Sequence, residues 1–121
     1  MSKKEIIIIK KPWGHEEIWA HTTKYLGKYL FIKAGHRLSR QYHRTKEETI
    51  TVLYGTLCVE IGEESDLITF NLSPGECYHV KPGVVHRFCA LPEESVKLVE
   101  VSTPELQDVV RLDDDYQRDD E

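Results

Sequence analysis

The sequence predicts an all-β sandwich or barrel, on two observations. Turn-forming residues are dense: Gly14, Gly27, Gly35, Gly55, Gly62, Pro74-Gly75, Pro82-Gly83, Pro92 and Pro104 leave windows too short for a long helix. Inside those windows apolar residues recur with a period of two, the repeat that puts alternate side chains on one face of a strand.

In chain order, "KKEIIIIKK" has four consecutive isoleucines, too few for a signal-peptide apolar region or a membrane span, and reads as a short strand. "TITVLYG" places Ile50, Val52 and Tyr54 on one face. "TLCVEIG" places Leu57, Val59 and Ile61 on one face, with Cys58 and Glu60 opposite. "DLITFNL" and "SVKLVEV" alternate with interruptions, and in "KPGVVHRF" His86, Phe88 and Ala90 share an inward face. "VVRLDDDY" suits a last strand and turn, and the acidic tail from about residue 113, "DDDYQRDDE", is expected to be solvated and frayed at its end. No repeat, linker or boundary interrupts residues 1–121, so a single domain is expected. That length buries roughly two thirds of the surface of the unfolded chain, enough for a core without staples.

Sixteen Lys and Arg against twenty-one Asp and Glu give a net charge of -5. This argues against nucleic-acid or acidic-membrane partners recruited by long-range attraction. Cys58, Cys77 and Cys89 are odd in number and lack CxxC spacing, so they suggest neither a disulfide framework nor a thiolate zinc site. A reducing, cytoplasmic setting follows.

The chemistry concentrates in "LSRQYHRTKEE". Gln41 and His43 are two apart and project together from a strand, and Glu48 on the next strand can fold back beside them. His86, just after a Pro-Gly turn, supplies a fourth donor. Two imidazoles, a carboxylate and an amide oxygen form a nitrogen and oxygen set suited to Zn, Co, Mn, Fe or Ni, with positions left open to water or substrate. Taken singly, each of these residues reads as a surface or core side chain; the spacing is what points to a divalent metal, with zinc first.

Two segments, "GHRLSRQYHRTKEETITVLYG" and "GECYHVKPGVVHRFCA", resemble the paired motifs of the cupins. With "KPWGHEEIW", "YLGKYLFIKAGHRLSRQYH" and "VVRLDDDYQR", the chain looks like the single-domain cupin relatives of type II mannose-6-phosphate isomerase. That domain also ends the bifunctional isomerase and GDP-mannose pyrophosphorylase enzymes. The resemblance implies a double-stranded β-helix, or jelly-roll, barrel. It implies a divalent metal held by Gln41, His43, Glu48 and His86, Gln at the first place being characteristic of this branch. Four positions depart from the pattern: Lys46 for Arg, Arg40 for an apolar residue, Lys81 for a proline shifted to Pro82, and Ala90 for Asn. They bear on substrate identity. Within these residues there is no nucleotidyltransferase half, so pyrophosphorylase activity is not expected.

The implied reaction interconverts an aldose and a ketose hexose phosphate through an enediolate. Arg111 matches the family's C-terminal arginine and is the first choice for contact with substrate or enediolate; an ion pair with Asp113, Asp114 or Asp115 is the competing role. Lys33, placed on the face of Phe31, is the second choice, at the barrel mouth. Arg87 is expected to face away from His86 in a structural role, and Lys81, Arg40 and Lys46 to be surface charges. His36 and His79 are titratable candidates for the base. Trp13, Trp19, Tyr25 and Tyr29 suit a sugar face or the core, and Cys77 and Cys89 are expected to pack as small apolar groups. A non-catalytic sugar-binding or regulatory cupin and, further off, a metal-dependent cupin dioxygenase stay open as alternatives. The "EIIII" strand is a candidate edge for a homodimer.

Overall fold

The computed structural model describes residues 3–118. It contains strands β1 (Ile7–Lys11), β2 (Gly14–His21), β3 (Leu26–Ile32), β4 (Arg40–Tyr42), β5 (Glu48–Tyr54), β6 (Leu57–Ile61), β7 (Ile68–Leu72), β8 (Cys77–Val80), β9 (His86–Ala90), β10 (Val96–Ser102) and β11 (Val110–Asp113). A single 3-10 turn, Glu64–Asp66, is the one helical element among the described residues, and no helix there is long and apolar enough to cross a membrane. All pairing is antiparallel. The strands form a six-stranded sheet ordered β1-β2-β3-β10-β5-β8 and a five-stranded sheet ordered β11-β4-β9-β6-β7.

The period-two windows set this architecture. Ile50 and Val52, Leu57 and Val59, Phe88 and Ala90, and Val96 and Leu98 all point into the space between the sheets, with Leu30, Ile32 and Trp13. Tyr54 breaks the alternation predicted for its strand and is half exposed. The register against β10 slips between Leu98, opposite Val52, and Lys97, opposite Tyr54, and this bulge turns Leu53 and Tyr54 out ahead of Gly55. Gly55 has φ of 81°, and a Cβ there would meet the Ser95 carbonyl oxygen at 2.3 Å. Gly55→Ala is expected to cost about 2 kcal/mol or more in urea unfolding, from left-handed backbone and clash together. A loss under about 0.5 kcal/mol, typical of an exposed site, would contradict this.

The other face of the five-stranded sheet carries buried arginines. Arg87 faces away from His86, as expected for alternate residues, and donates from Nε to the Leu38 carbonyl at 2.8 Å, with longer contacts to Asp113 and Asp115. Arg40, expected on the surface, is buried instead, its guanidinium 2.6 Å from Glu60 and bonded to the Gly62 carbonyl. The tail is tied down further than its composition suggests: Arg37 clasps Asp115 with two hydrogen bonds, Asp114 holds Arg118, and Tyr116 packs against the core. Residues 119–121, and with them the expected frayed end, lie outside the described residues.

β1 is an edge strand, and its Ile7 and Ile8 are 61% and 63% exposed. The cysteines are free. Cys77 is exposed rather than packed, whereas Cys58 and Cys89 are half-buried cross-strand neighbours, and burial together with Glu60 pushes the Cys89 thiol up to about 12.

Candidate metal centre

Register brings the donors together. Arg111 on β11 lies opposite Gln41 on β4, and Gln41 opposite His86 on β9. Directly paired residues share a face, so these three side chains form one row on the inner side of the five-stranded sheet. Glu48 opens β5 in the other sheet, and His43 follows β4 in the loop that joins the two. His43, Glu48 and His86 are all buried and present ligand atoms within 4.8 Å of one another. They open into a cavity of about 240 Å³ that Gln41, Arg111, Trp13, Glu16, Lys28 and Lys46 also line.

Both imidazoles are oriented through Nδ1. That nitrogen of His43 donates to the Asp108 carbonyl, and that of His86 to the Val84 carbonyl at 2.9 Å. A carbonyl only accepts, so each Nδ1 carries hydrogen and each Nε2 turns its lone pair inward. His43 Nε2 lies 3.3 Å from Glu48 Oε1. Two lone-pair donors at that distance repel unless a proton or a cation lies between them. The donor set therefore fits a divalent ion between them, which binds both groups in their deprotonated forms. The Gln41 amide nitrogen donates to the Ser39 hydroxyl at 3.1 Å and carbonyl at 3.3 Å, which makes Oε1 the atom of the amide that can accept or ligate.

The electrostatics agree. Burial alone would raise the Glu48 carboxyl, but the adjoining His43 imidazole and the charge of Lys46 hold it at about 2. Burial lowers His86, a shift that Glu48 and the Val84 carbonyl oppose without cancelling, so it stays a neutral donor. Lys46 was expected at the surface and is instead buried, 2.7 Å from Glu100 and 3.4 Å from Glu48. These two acids outweigh the desolvation of its ammonium and keep it charged.

Asp108 supports the centre twice. Its carbonyl orients His43, and its carboxylate accepts from the backbone N–H groups of Arg44, Thr45 and Lys46, fixing the loop that carries both side chains. Asp108→Ala keeps the carbonyl that orients His43 but frees the loop its carboxylate holds, and is expected to weaken zinc binding by about tenfold, the low end of the range for lost outer support of a ligand. Unfolding should move by no more than ~2 kcal/mol, as for a lost cap. Unchanged affinity in a chelator competition would contradict it.

Other expectations need correction. Lys33 lies beyond the end of β3 and is exposed; it does not line the cavity, because it shares parity with Phe31, which faces outward, opposite to Leu30 and Ile32. His36 binds the Ala34 carbonyl and His79 pairs with Glu47 at the surface, and neither reaches the cavity. Trp13 is buried and lines the cavity, whereas Trp19 and Tyr25 are exposed. The residues missed are Glu16, Lys28 and Glu100, whose signal was their parity with Ile18, with Leu26 and Leu30, and with Leu98 on otherwise apolar faces.

Two facing antiparallel sheets with a buried nitrogen and oxygen donor set between them define a cupin-type double-stranded β-helix protein. Residues 2–114 match the family described as mannose-6-phosphate isomerase C-terminal, and the chain belongs to that family. It is 31% identical over 113 residues to the xanthan biosynthesis protein XanB of Xanthomonas campestris pv. campestris, covering 91% of this chain and 23% of that protein. It is 26% identical to a mannose-1-phosphate guanylyltransferase of Salmonella muenchen, with the same coverage. The chain thus spans less than a quarter of the length of these relatives. Among solved structures, a protein with a double-stranded β-helix domain from Klebsiella pneumoniae subsp. pneumoniae is similar at TM-score 0.70 and 20% identity, covering 93% of this chain and 89% of that one. This last likeness shows the fold alone.

Proposed function

We propose that the chain is a divalent-metal-dependent sugar-phosphate isomerase of the mannose-6-phosphate isomerase type, working in carbohydrate and polysaccharide biosynthesis. The observation that carries the reading is the convergence of His43, Glu48 and His86 within 4.8 Å at a buried cavity, in a chain of this family. Gln41, His43, Glu48 and His86 would hold the ion, zinc first among N/O-binding metals. When bound, such an ion supplies Lewis-acid polarisation of the sugar oxygens.

The remaining work falls to the chain. Lys11, Lys46, Arg111 and Arg118 line the cavity against Glu48 and Glu100, with Lys28 and Glu16 offsetting one another, so an anionic hexose phosphate meets a cationic surround. Arg111, beside Gln41 in the ligand row, would bind phosphate or enediolate oxygens through its planar fork. The cavity is small beside the ~300–1,000 Å³ of common ligand clefts and suits one sugar unit. Within it the proton would move between C2 and C1. The group that moves it belongs to the cavity's own titratable residues, not to His36 or His79.

Loaded with Zn, Co, Mn or Fe, the protein should convert mannose 6-phosphate to fructose 6-phosphate, and His43→Ala should abolish the conversion. No product with any of the four metals would contradict the isomerase. Sugar binding without turnover would favour a non-catalytic sugar-binding cupin. A homodimer joined through the exposed β1 edge and a reducing, cytoplasmic setting for the three free thiols complete the proposal.

A further inference from the structure

Glu16 and Lys28 form a second buried charged pair in the cavity. Lys28 Nζ lies 3.1 Å from Glu16 Oε2, and their side chains are only 6% and 11% exposed. Lys28 sits on β3 among inward-facing Leu26, Leu30 and Ile32, and Glu16 on β2 shares its face with Ile18. β3 is two strand spacings from the β5 that carries Glu48, so the pair stands ~10 Å or more across the sheet from the donor cluster. In register, Lys28 faces Glu100, which pairs with Lys46. The charged row therefore reaches back toward the metal centre.

Stability does not account for this pair. Desolvating two charges offsets their attraction, and apolar residues of similar volume do as well or better. Its chemistry does suit a ligand. A carboxylate only accepts and an ammonium only donates, whereas a hydroxyl does both. A hydroxyl seated beside the pair can donate to Glu16 and accept from Lys28, because the ion pair engages only part of the capacity of either group.

We propose that Glu16 and Lys28 are the hydroxyl-reading pole of the cavity, binding the hydroxyl groups of a polyhydroxylated ligand whose other end lies at the Gln41, His43, Glu48 and His86 centre. The assignment rests on the reading that the cavity holds a sugar. It makes the pair a specificity determinant, separate from the metal and from the cations that bind phosphate.

Single replacements strand a buried charge, so the test uses the double variant Glu16→Gln with Lys28→Met, zinc-loaded, in calorimetry against mannose, fructose and glucose 6-phosphates and inorganic phosphate. Zinc stoichiometry and inorganic phosphate affinity should be unchanged, and the unfolding midpoint unchanged or raised. Affinity for the best-bound hexose phosphate should fall tenfold or more. Retained hexose phosphate affinity, or an equal loss for inorganic phosphate, would overturn the proposal, as would a native chain that binds none of the three sugars. A native chain that binds a hexose phosphate but does not isomerise it defeats the isomerase reading alone.

Discussion

Replacing His43 with alanine is expected to weaken zinc binding by at least ~100-fold, more than the loss of an outer supporting group, while the barrel stays folded. His43 sits on a loop rather than in a strand and contributes its Nε2, turned inward because Nδ1 is engaged by the Asp108 carbonyl. Without it Glu48 still faces Lys46, so the metal-free variant strands no buried charge. The variant should also release fewer protons on binding zinc, because it has one imidazole fewer that the metal binds only in deprotonated form. Calorimetry in buffers of different ionisation enthalpy reads both quantities. Native affinity and native proton release in the variant would contradict the account.

Lys46→Met should have the opposite profile, a large loss of stability before any metal is added. Lys46 is the shared countercharge of two buried carboxylates, Glu48 and Glu100. Removing one partner from a buried charged set costs about 3–5 kcal/mol, which urea unfolding in chelator would show. Zinc restores a positive charge beside Glu48, so it should raise the stability of the variant more than that of the native chain. The sign of the pH effect follows from the same geometry. The Glu48 carboxyl is held below its ordinary 4.5, at about 2, so it contributes stability in the metal-free chain that is full above about 4.5 and lost as pH falls toward 2. Without Lys46 the carboxyl titrates higher, and acid unfolding should begin at higher pH. Identical acid profiles for the two chains would count against a buried role for Lys46.

The fold was legible because period two survives in short strands: Ile50 and Val52, Leu57 and Val59, and Phe88 and Ala90 face the core as their spacing requires. The approach of Gln41, His43, Glu48 and His86 was legible from spacing and motif together. The polar half of the cavity was not. Lys46, Arg40, Lys28, Glu16 and Glu100 are charged residues that composition assigns to water, and only their partners make burial tolerable. Lys46 and Glu100, and Arg40 and Glu60, meet across segments distant in sequence, whereas Glu16 and Lys28 sit on neighbouring strands and showed only in their parity with apolar residues. Lys33 failed for a simpler reason. Phe31 is aromatic but lies on the outer face, stacked on His15, and parity carries Lys33 outward with it. Asp108 was invisible because its role runs through a backbone carbonyl and three loop N–H groups.

The most direct measurement is anomalous diffraction at the zinc edge from crystals of the zinc-loaded protein. The account predicts one strong peak inside the barrel, within ~2.0–2.2 Å of His43 Nε2, His86 Nε2 and a Glu48 carboxylate oxygen, with Gln41 Oε1 directed at it. A peak at surface carboxylates or thiols, with none between these side chains, would contradict it.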